Sequence, residues 1–249
     1  RGQVDKYRRM LDSPYFGRFD LVEDGSDCRE KIYVGLNTLV DPKTHRVLVY
    51  DWRAPISSIF YRFELGKASY EAPVGMVTGN VLLKRQYKIQ NSELKYFFDC
   101  SIRINDELLQ EALAGNTSPK MKSIVETIQK EQDIVIRDTD HELLIVQGVA
   151  GSGKTSIALH RIAFLLYMGL GSHLSPGNIC IVSPNAAFSN YISSVLPELG
   201  EENVSQTTFD DIVHRLLGDR LTPETRNMQL EFLIRSRDNK EGAARRHEI

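Results

Sequence analysis

The sequence predicts an α/β fold in which a β-rich domain precedes a parallel sheet flanked by helices. Between residues 15 and 99, short runs rich in aromatic and β-branched residues are separated by turn residues. After residue 143, apolar strand-like runs alternate with helical patterns, the order typical of a parallel sheet. A glycine-rich loop joins the first of these strands to the first helix.

Strand character recurs through the first part of the chain. Turn residues at 23–26, 41–43 and 90–92 separate the apolar runs and favour an antiparallel sheet or a small barrel. The predicted strands are residues 15–22, 31–40, 46–50, 56–64, 79–89 and 94–100.

The pattern changes to helical spacing near residue 106, with predicted helices at 107–114 and 120–137. The break between Gly115 and Pro119 predicts the domain boundary, giving a β-rich domain at 1–117 and an α/β domain at 118–249. The α/β elements that follow are a strand at 143–147, a helix at 154–168, a strand at 178–183 and a helix at 187–196.

Composition limits the classes of protein to consider. The chain has 249 residues and a net charge of −2, so it lacks the basic field of a protein that is mainly a nucleic-acid binder. No apolar run approaches the roughly 18 residues of a membrane span, and the three cysteines show no metal-ligand spacing. We expect a cytoplasmic, monomeric protein without membrane contact. Because the chain starts at Arg1 without methionine and ends in a charged stretch, we also expect a fragment.

Residues 148–155 match the phosphate-binding pattern G-x-x-x-x-G-K-[ST] between an apolar strand and a helix. The glycines let successive backbone N–H groups converge on one point, which makes a nest for phosphate oxygens at a helix N-terminus. We expect Lys154 to reach the β- and γ-phosphates of ATP or GTP and the Thr155 hydroxyl to bind Mg²⁺. The alternative is a chance glycine-rich turn.

An acidic residue that holds Mg²⁺ normally ends a second apolar strand after such a loop. The apolar runs after Thr155 end in Ser183-Pro184-Asn185 or in Arg235. Only residues 47–51 form an apolar run that ends in an acid, and they precede the loop. A strand entering a turn explains Asp51 better, so the hydrolytic machinery is predicted to be incomplete.

Residues 151–155 followed by His160-Arg161-Ile162-Ala163 resemble motif I of the UvrD/Rep superfamily 1 helicases. Gln132 resembles the glutamine of the Q motif, whose amide offers the donor and the acceptor that adenine requires. A solvent-facing helical glutamine is the alternative. The resemblance implies a RecA-like P-loop sheet, part of motor domain 1A, with ATP and Mg²⁺ as cofactors and Lys154 and Thr155 as catalytic residues. The predicted cofactor contacts are Gln132, Gly148, Val149, Ala150, Gly151, Ser152, Gly153, Lys154, Thr155 and Ser156.

Two further segments occupy the positions of superfamily motifs that line a single-strand path. Ser183, Pro184 and Asn185 take the place of motif Ia, and Thr208 and Phe209 that of the Thr-Phe-His motif. This chain has Ser-Pro-Asn in the first and Asp210 after the second, which departs from the family pattern. A strand end and a helix N-cap are the alternatives.

The closer resemblance is to the HelD, or helicase IV-like, branch. It is carried by segments spread over nearly the whole chain: residues 15–18, 33–35, 50–56, 183–185 and 195–201, of which the block Asp51-Trp52-Arg53-Ala54-Pro55 is the most specific. This branch implies an ATP-dependent motor that acts on RNA polymerase. DNA or RNA remains possible through the full-length motor.

The function predicted is therefore the N-terminal and ATP-binding part of a helicase-like ATP hydrolase. A nucleotide-sensing module that binds a protein partner without unwinding is the alternative, and a nucleotide kinase is weaker.

Two further segments each suggest a surface for a partner or a structural role. Trp52 and Arg53 suggest either a partner surface or, preferably, a buried tryptophan with an Asp51–Arg53 pair, and Lys84-Arg85 suggests either phosphate contact or, preferably, a solvated strand face.

Overall fold

A computed structural model describes residues 10–100, 128–169, 174–199, 204–218, 224 and 226–235. The described residues fall into two compact units. The first takes its residues from Arg1–Ile179 and Ile192–Asn203, and the second from Cys180–Tyr191 and Val204–Ile249. The predicted boundary at 115–119 and the predicted helix at 107–114 lie outside the described residues.

The β-rich prediction is confirmed as a seven-stranded, mostly antiparallel sheet. The strands are β1 Gly17–Glu23, β2 Glu30–Gly35, β3 Leu39–Val40, β4 Val47–Asp51, β5 Gly66–Ala72, β6 Gly75–Gln90 and β7 Glu93–Asp99. Their order in the sheet is β3-β4-β2-β1-β6-β5, with β7 also paired to β6; β2 and β4 run parallel. Alternation along β1 and β2 buries Phe19, Leu21, Ile32 and Val34 on one face.

The prediction of a strand at 56–64 is wrong. It forms a 3₁₀ turn at Pro55–Ser57 followed by helix α1, Ser58–Arg62. Pro55 suits a first helical turn, and the buried Ile56, Ile59 and Phe60 have the i, i+3, i+4 spacing of a helix face.

The remaining helices and strands follow the glycine-rich part of the chain. The elements are α2 Lys130–Ile136, α3 Lys154–Met168, a 3₁₀ turn at Pro176–Asn178, β8 Cys180–Ser183, α4 Ala186–Glu198, β9 Ser205–Thr208, α5 Phe209–Leu217 and α6 Arg226–Arg235. Helix α3 has the predicted bounds, and α2 is the helix formed by the described part of the predicted helix at 120–137.

The predicted strand at 143–147 does not form. These residues have no strand assignment, and Leu143 and Ile145 are 79% and 82% exposed. A buried parallel strand needs neighbours that accept and donate its backbone hydrogen bonds. Among the described residues the parallel pairs are β2 with β4 and β8 with β9, and a RecA-like sheet around the glycine-rich loop is not formed.

None of the helices in the described part of the chain is both long enough and apolar enough to cross a membrane. The described residues also contain no group of three or more His, Cys, Asp or Glu side chains placed to hold a metal ion.

Candidate nucleotide-binding site

The glycine-rich loop curls tightly in front of helix α3. Gly151 and Gly153 have φ values of 81° and 80°, a left-handed conformation that side chains rarely adopt. A Cβ at Gly148 would lie 2.5 Å from Ser152 Oγ, so the loop leaves no room there. The local backbone therefore has the conformation that a phosphate nest needs.

Lys154 lies over this loop. Its Nζ donates to the carbonyl oxygens of Gly148 at 2.9 Å and Val149 at 2.7 Å. The ammonium group is thus held against the backbone carbonyls at the start of the loop. Val149 and Ala150 are exposed, and Thr155 and Ser156 are half-buried in the first turn of α3.

Gln132 lies next to the same loop. A Cβ at Gly153 would stand 3.4 Å from Gln132 Nε2, although 20 residues separate the two positions. Gln132 Oε1 accepts a hydrogen bond from the backbone N–H of Gln129 at 3.1 Å, which caps α2. The structure thus places Gln132 beside Gly153, and the other predicted cofactor contacts are consecutive residues of the loop and the first turn of α3.

Helix α3 is fixed from its buried side. Arg161 donates to the carbonyls of Val135 at 3.0 Å and of Asp138, so it closes the end of α2. His160 is 1% exposed, and its Nδ1 lies 2.7 Å from the carbonyl oxygen of Ser156. Burial lowers the pKa of His160, so the neutral imidazole is favoured.

The Asp51-Trp52-Arg53 block packs against α3 and α2. Trp52 is fully buried, and its ring meets that of His160 edge-on at 5.5 Å between centroids. Arg53 is paired with Asp51 at 2.7 Å and stacks 4.9 Å from the ring centroid of Tyr167. The preferred interpretation of this block, a buried tryptophan with an Asp–Arg pair, is confirmed.

Sequence reasoning missed Asp133 and Arg137, which join α2 to this block. Buried Asp133 accepts from Arg62 Nε at 2.6 Å and from Arg137 Nε at 2.8 Å. Arg137 also donates to the carbonyls of Trp52, Arg53 and Ala54. The i, i+4 spacing of Asp133 and Arg137 is visible in the sequence, but it normally indicates a surface pair.

A cavity of about 590 Å³ opens beside this cluster. Arg53 is paired with the buried Asp51, and Arg62 and Arg137 share the buried Asp133. Three arginines thus face two buried carboxylates, and Glu71 also lines the cavity. Its lining residues are Arg53, Pro55, Ser58, Arg62, Glu71, Ala72, Pro73, Arg137, Thr139, Phe164 and Met168.

The two candidate nucleic-acid segments lie side by side in the second unit. β8 and β9 are parallel, with Ser183 in register with Thr208, so both segments follow the carboxyl ends of their strands. Ser183 is buried, while Asn185 Oδ1 accepts from Phe188 N at 2.9 Å and Thr208 Oγ1 accepts from Asp211 N at 3.2 Å. These polar side chains serve a strand end and two helix N-caps.

Phe209 differs from its neighbours, since it is 70% exposed. Pro184 is also exposed. The basic pair in β6 is structural, because Lys84 donates to the carbonyl of Phe63 at 3.0 Å and Arg85 pairs with Asp99.

Comparison with known proteins identifies sequence relatives of this chain. Over 100 residues, the chain is 36% identical to the ATP-dependent DNA helicase PcrA from two strains of Staphylococcus epidermidis. That match covers 39% of this chain but 13% of each relative, so the chain corresponds to a small part of their length. The chain is thus related to the UvrD-like helicases of superfamily 1.

Residues 1–113 match the family model described as the N-terminal domain of DNA helicase IV HelD. This match covers less than half of the 249 residues, so the first part of the chain is similar to that domain.

Proposed function

We propose that this chain supplies the N-terminal and ATP-binding part of an ATP-dependent superfamily 1 motor. The observation that carries the proposal is the loop before α3, where two left-handed glycines shape a nest, Lys154 lies over it and Gln132 stands beside it. Backbone N–H groups, a lysine and a Thr155 hydroxyl at a helix N-terminus form a donor set suited to a triphosphate with Mg²⁺.

The residues fit ATP-Mg²⁺ in chemistry as well as in place. Thr155 would bind the metal ion, and Lys154 would exchange its carbonyl partners for phosphate oxygens. Ser152, Ser156 and the N–H groups of residues 148–154 would surround the phosphates, with Gln132 toward the base. When bound, Mg²⁺ would offset the charge of the phosphate oxygens.

Isothermal titration of ATP-Mg²⁺ into the whole chain tests the proposal. We expect weak but measurable binding, lost at least tenfold in Lys154→Ala because the cation over the loop is removed. Lys130→Ala, on the exposed start of α2, is the matched control and should bind as wild type does. Equal affinity of wild type and Lys154→Ala would refute phosphate binding at this loop.

ATP hydrolysis by the chain alone is expected to stay at background. The described strands after the loop end in Ser183 and Thr208, so neither supplies the carboxylate that would hold Mg²⁺. Phosphate release that is abolished by Lys154→Ala would contradict this expectation.

The proposed substrate of the motor is RNA polymerase or nucleic acid, and its proposed location is the cytoplasm. The matches to a DNA helicase IV HelD domain over residues 1–113 and to the DNA helicase PcrA support nucleic acid, while RNA polymerase rests on the resemblance stated in the sequence analysis. A nucleotide-sensing module without unwinding activity is the second candidate. It is favoured by the buried contacts that tie the loop's helix to the β-rich sheet, because these would transmit a bound state to a partner-binding domain.

A further inference from the structure

Trp52 and His160 each have an unpartnered ring nitrogen in the interior of the first unit, and their rings are in contact. Within the described residues, Trp52 Nε1 and His160 Nε2 are both buried and without a hydrogen-bond partner. Their rings meet at 5.5 Å with an interplanar angle of 70°. Leaving two buried polar groups unsatisfied is unfavourable, which favours any arrangement that pairs them.

The two nitrogens are chemically complementary. His160 Nδ1 faces the Ser156 carbonyl at 2.7 Å, and a carbonyl only accepts, so the ring proton is on Nδ1. In the neutral imidazole this leaves Nε2 as an acceptor. The indole N–H of Trp52 is only a donor.

We propose that Trp52 is a positioning residue for the candidate nucleotide site, acting through His160. Its indole N–H donates to His160 Nε2 after a small adjustment of the two rings, and His160 Nδ1–H donates to the Ser156 carbonyl. Ser156 follows Lys154 and Thr155 in the first turn of α3. The relay therefore fixes the turn that presents both side chains, and it rests on the proposed function of that site.

The surrounding contacts hold Trp52 in the place that this relay needs. Arg137 binds the carbonyl of Trp52, and the backbone N–H of Trp52 donates to Gly35 O at 2.8 Å. Trp52 is thus anchored to the β-rich sheet and to α2, while His160 belongs to α3. Because the relay links these two parts, the orientation of the glycine-rich loop depends on the β-rich domain.

A double-mutant cycle on ATP-Mg²⁺ affinity, measured by calorimetry on the whole chain, tests the relay. Trp52→Phe and His160→Phe keep an aromatic ring at each position and remove the donor and the acceptor. Each should weaken binding about fivefold, the equivalent of one neutral hydrogen bond. The double variant should bind no more weakly than either single variant.

Two controls separate positioning from folding. His160→Gln retains an acceptor and should recover most of the affinity that His160→Phe loses. Tyr70→Phe, in β5, should leave affinity unchanged. Losses that add in the double variant, or a fall in melting temperature without a change in affinity, would overturn the proposal.

A spectroscopic test needs no variant at Trp52. The chain has one tryptophan, so a ¹⁵N spectrum contains one indole N–H signal. We expect it to shift when ATP-Mg²⁺ is added to wild type and to stay fixed in Lys154→Ala. A fixed signal in wild type, with binding seen by calorimetry, overturns the relay alone; absence of binding in wild type overturns the proposed function and the relay with it.

Discussion

Among single residues, Gln132 directs its two amide atoms to different places. Its Oε1 caps α2 through Gln129, while its Nε2 faces Gly153 of the loop. The donor nitrogen is therefore the part of the side chain that is directed toward the site. If this residue selects adenine, the selection depends on that N–H.

Removal of the Gln132 amide should reduce the preference for ATP over GTP. We expect Gln132→Ala to lose about 1–3 kcal/mol of discrimination, because a buried amide that pairs with one base is unsatisfied by another. Parallel titrations of ATP and GTP measure it. Gln132→Glu is the matched control, since it keeps the cap acceptor and loses the donor. Equal losses for both nucleotides in both variants would mean that the residue supports the fold.

His160 should make stability depend on pH. Burial lowers its pKa in the folded chain from the usual 6.5, so the unfolded chain binds the proton first as pH falls. The free energy of unfolding should therefore be flat above about pH 6.5 and fall below it, by at most about 1.4 kcal/mol per pH unit, down to the lowered value.

Urea denaturation between pH 7.5 and 5.5 measures the effect of His160. His160→Gln has no such titration, so its curve over this range should be flatter than that of wild type. Identical slopes for the two proteins would contradict the assignment to His160.

At the level of elements, Arg137 connects α2 to the turn after β4. It gives hydrogen bonds to three carbonyls and one to Asp133, and its guanidinium lies 5.2 Å from the Phe164 ring centroid. Loss of this side chain would leave those carbonyls and part of a buried carboxylate unsatisfied. Arg62 shares Asp133 but is 32% exposed.

Arg137→Met should destabilise the first unit by about 3–5 kcal/mol, the range for breaking a buried ion pair. Arg62→Met should have a smaller effect, because water reaches its guanidinium and Asp133 keeps Arg137. Urea unfolding of the two variants beside wild type provides the comparison. A loss in Arg62→Met equal to that in Arg137→Met would show that the carbonyl contacts contribute little.

Local signals predicted some elements better than others. The bounds of helix α3 follow from the sequence because the glycine-rich loop marks its first residue directly. The segment at 56–64 was mistaken for a strand because its β-branched and aromatic residues outweighed the helical spacing of Ile56, Ile59 and Phe60. Residues 143–147 have the composition of a buried strand, but strand formation requires neighbours that composition does not supply.

In the candidate site, too, the part formed by neighbouring residues is predictable from sequence, whereas contacts between residues far apart in the chain are not. The loop from Gly148 to Thr155 is contiguous and was recognisable from spacing. The contacts of Trp52 with His160 and of Arg137 with Arg53 join residues 108 and 84 positions apart, and nothing in the local pattern reveals such contacts. Gln132 is identifiable only through a resemblance; it lies beside Gly153, and its role at the base stays a prediction.

For the molecule as a whole, tight binding of single-stranded DNA is not expected. The net charge is −2, and the polar residues of the two candidate segments are engaged in caps or buried. Exposed Phe209 is one stacking platform, whereas strand-binding channels combine several with a basic groove. Fluorescence anisotropy with a labelled oligonucleotide at about 0.15 M salt, where the screening length is about 8 Å, should show no submicromolar binding.

Phe209→Ala distinguishes the possible sources of any DNA binding that is observed. Submicromolar affinity that disappears in this variant would contradict the expectation and favour a nucleic-acid translocase. We expect neither the variant nor wild type to bind at submicromolar concentration, because one aromatic platform worth about 1–3 kcal/mol is too little for tight binding.

Strand β6 has a consequence for how the sheet comes apart. Its 16 residues pair with β1, β5 and β7, so every one of those strands shares hydrogen bonds with a single segment about 50 Å long. If one of these strand pairs opened far, it would expose the backbone of β6, with which the other two strands are also paired. Amide protons along the middle of β6 should then exchange only through opening of the sheet as one cooperative unit, which makes this strand the slowest-exchanging part of the β-rich domain.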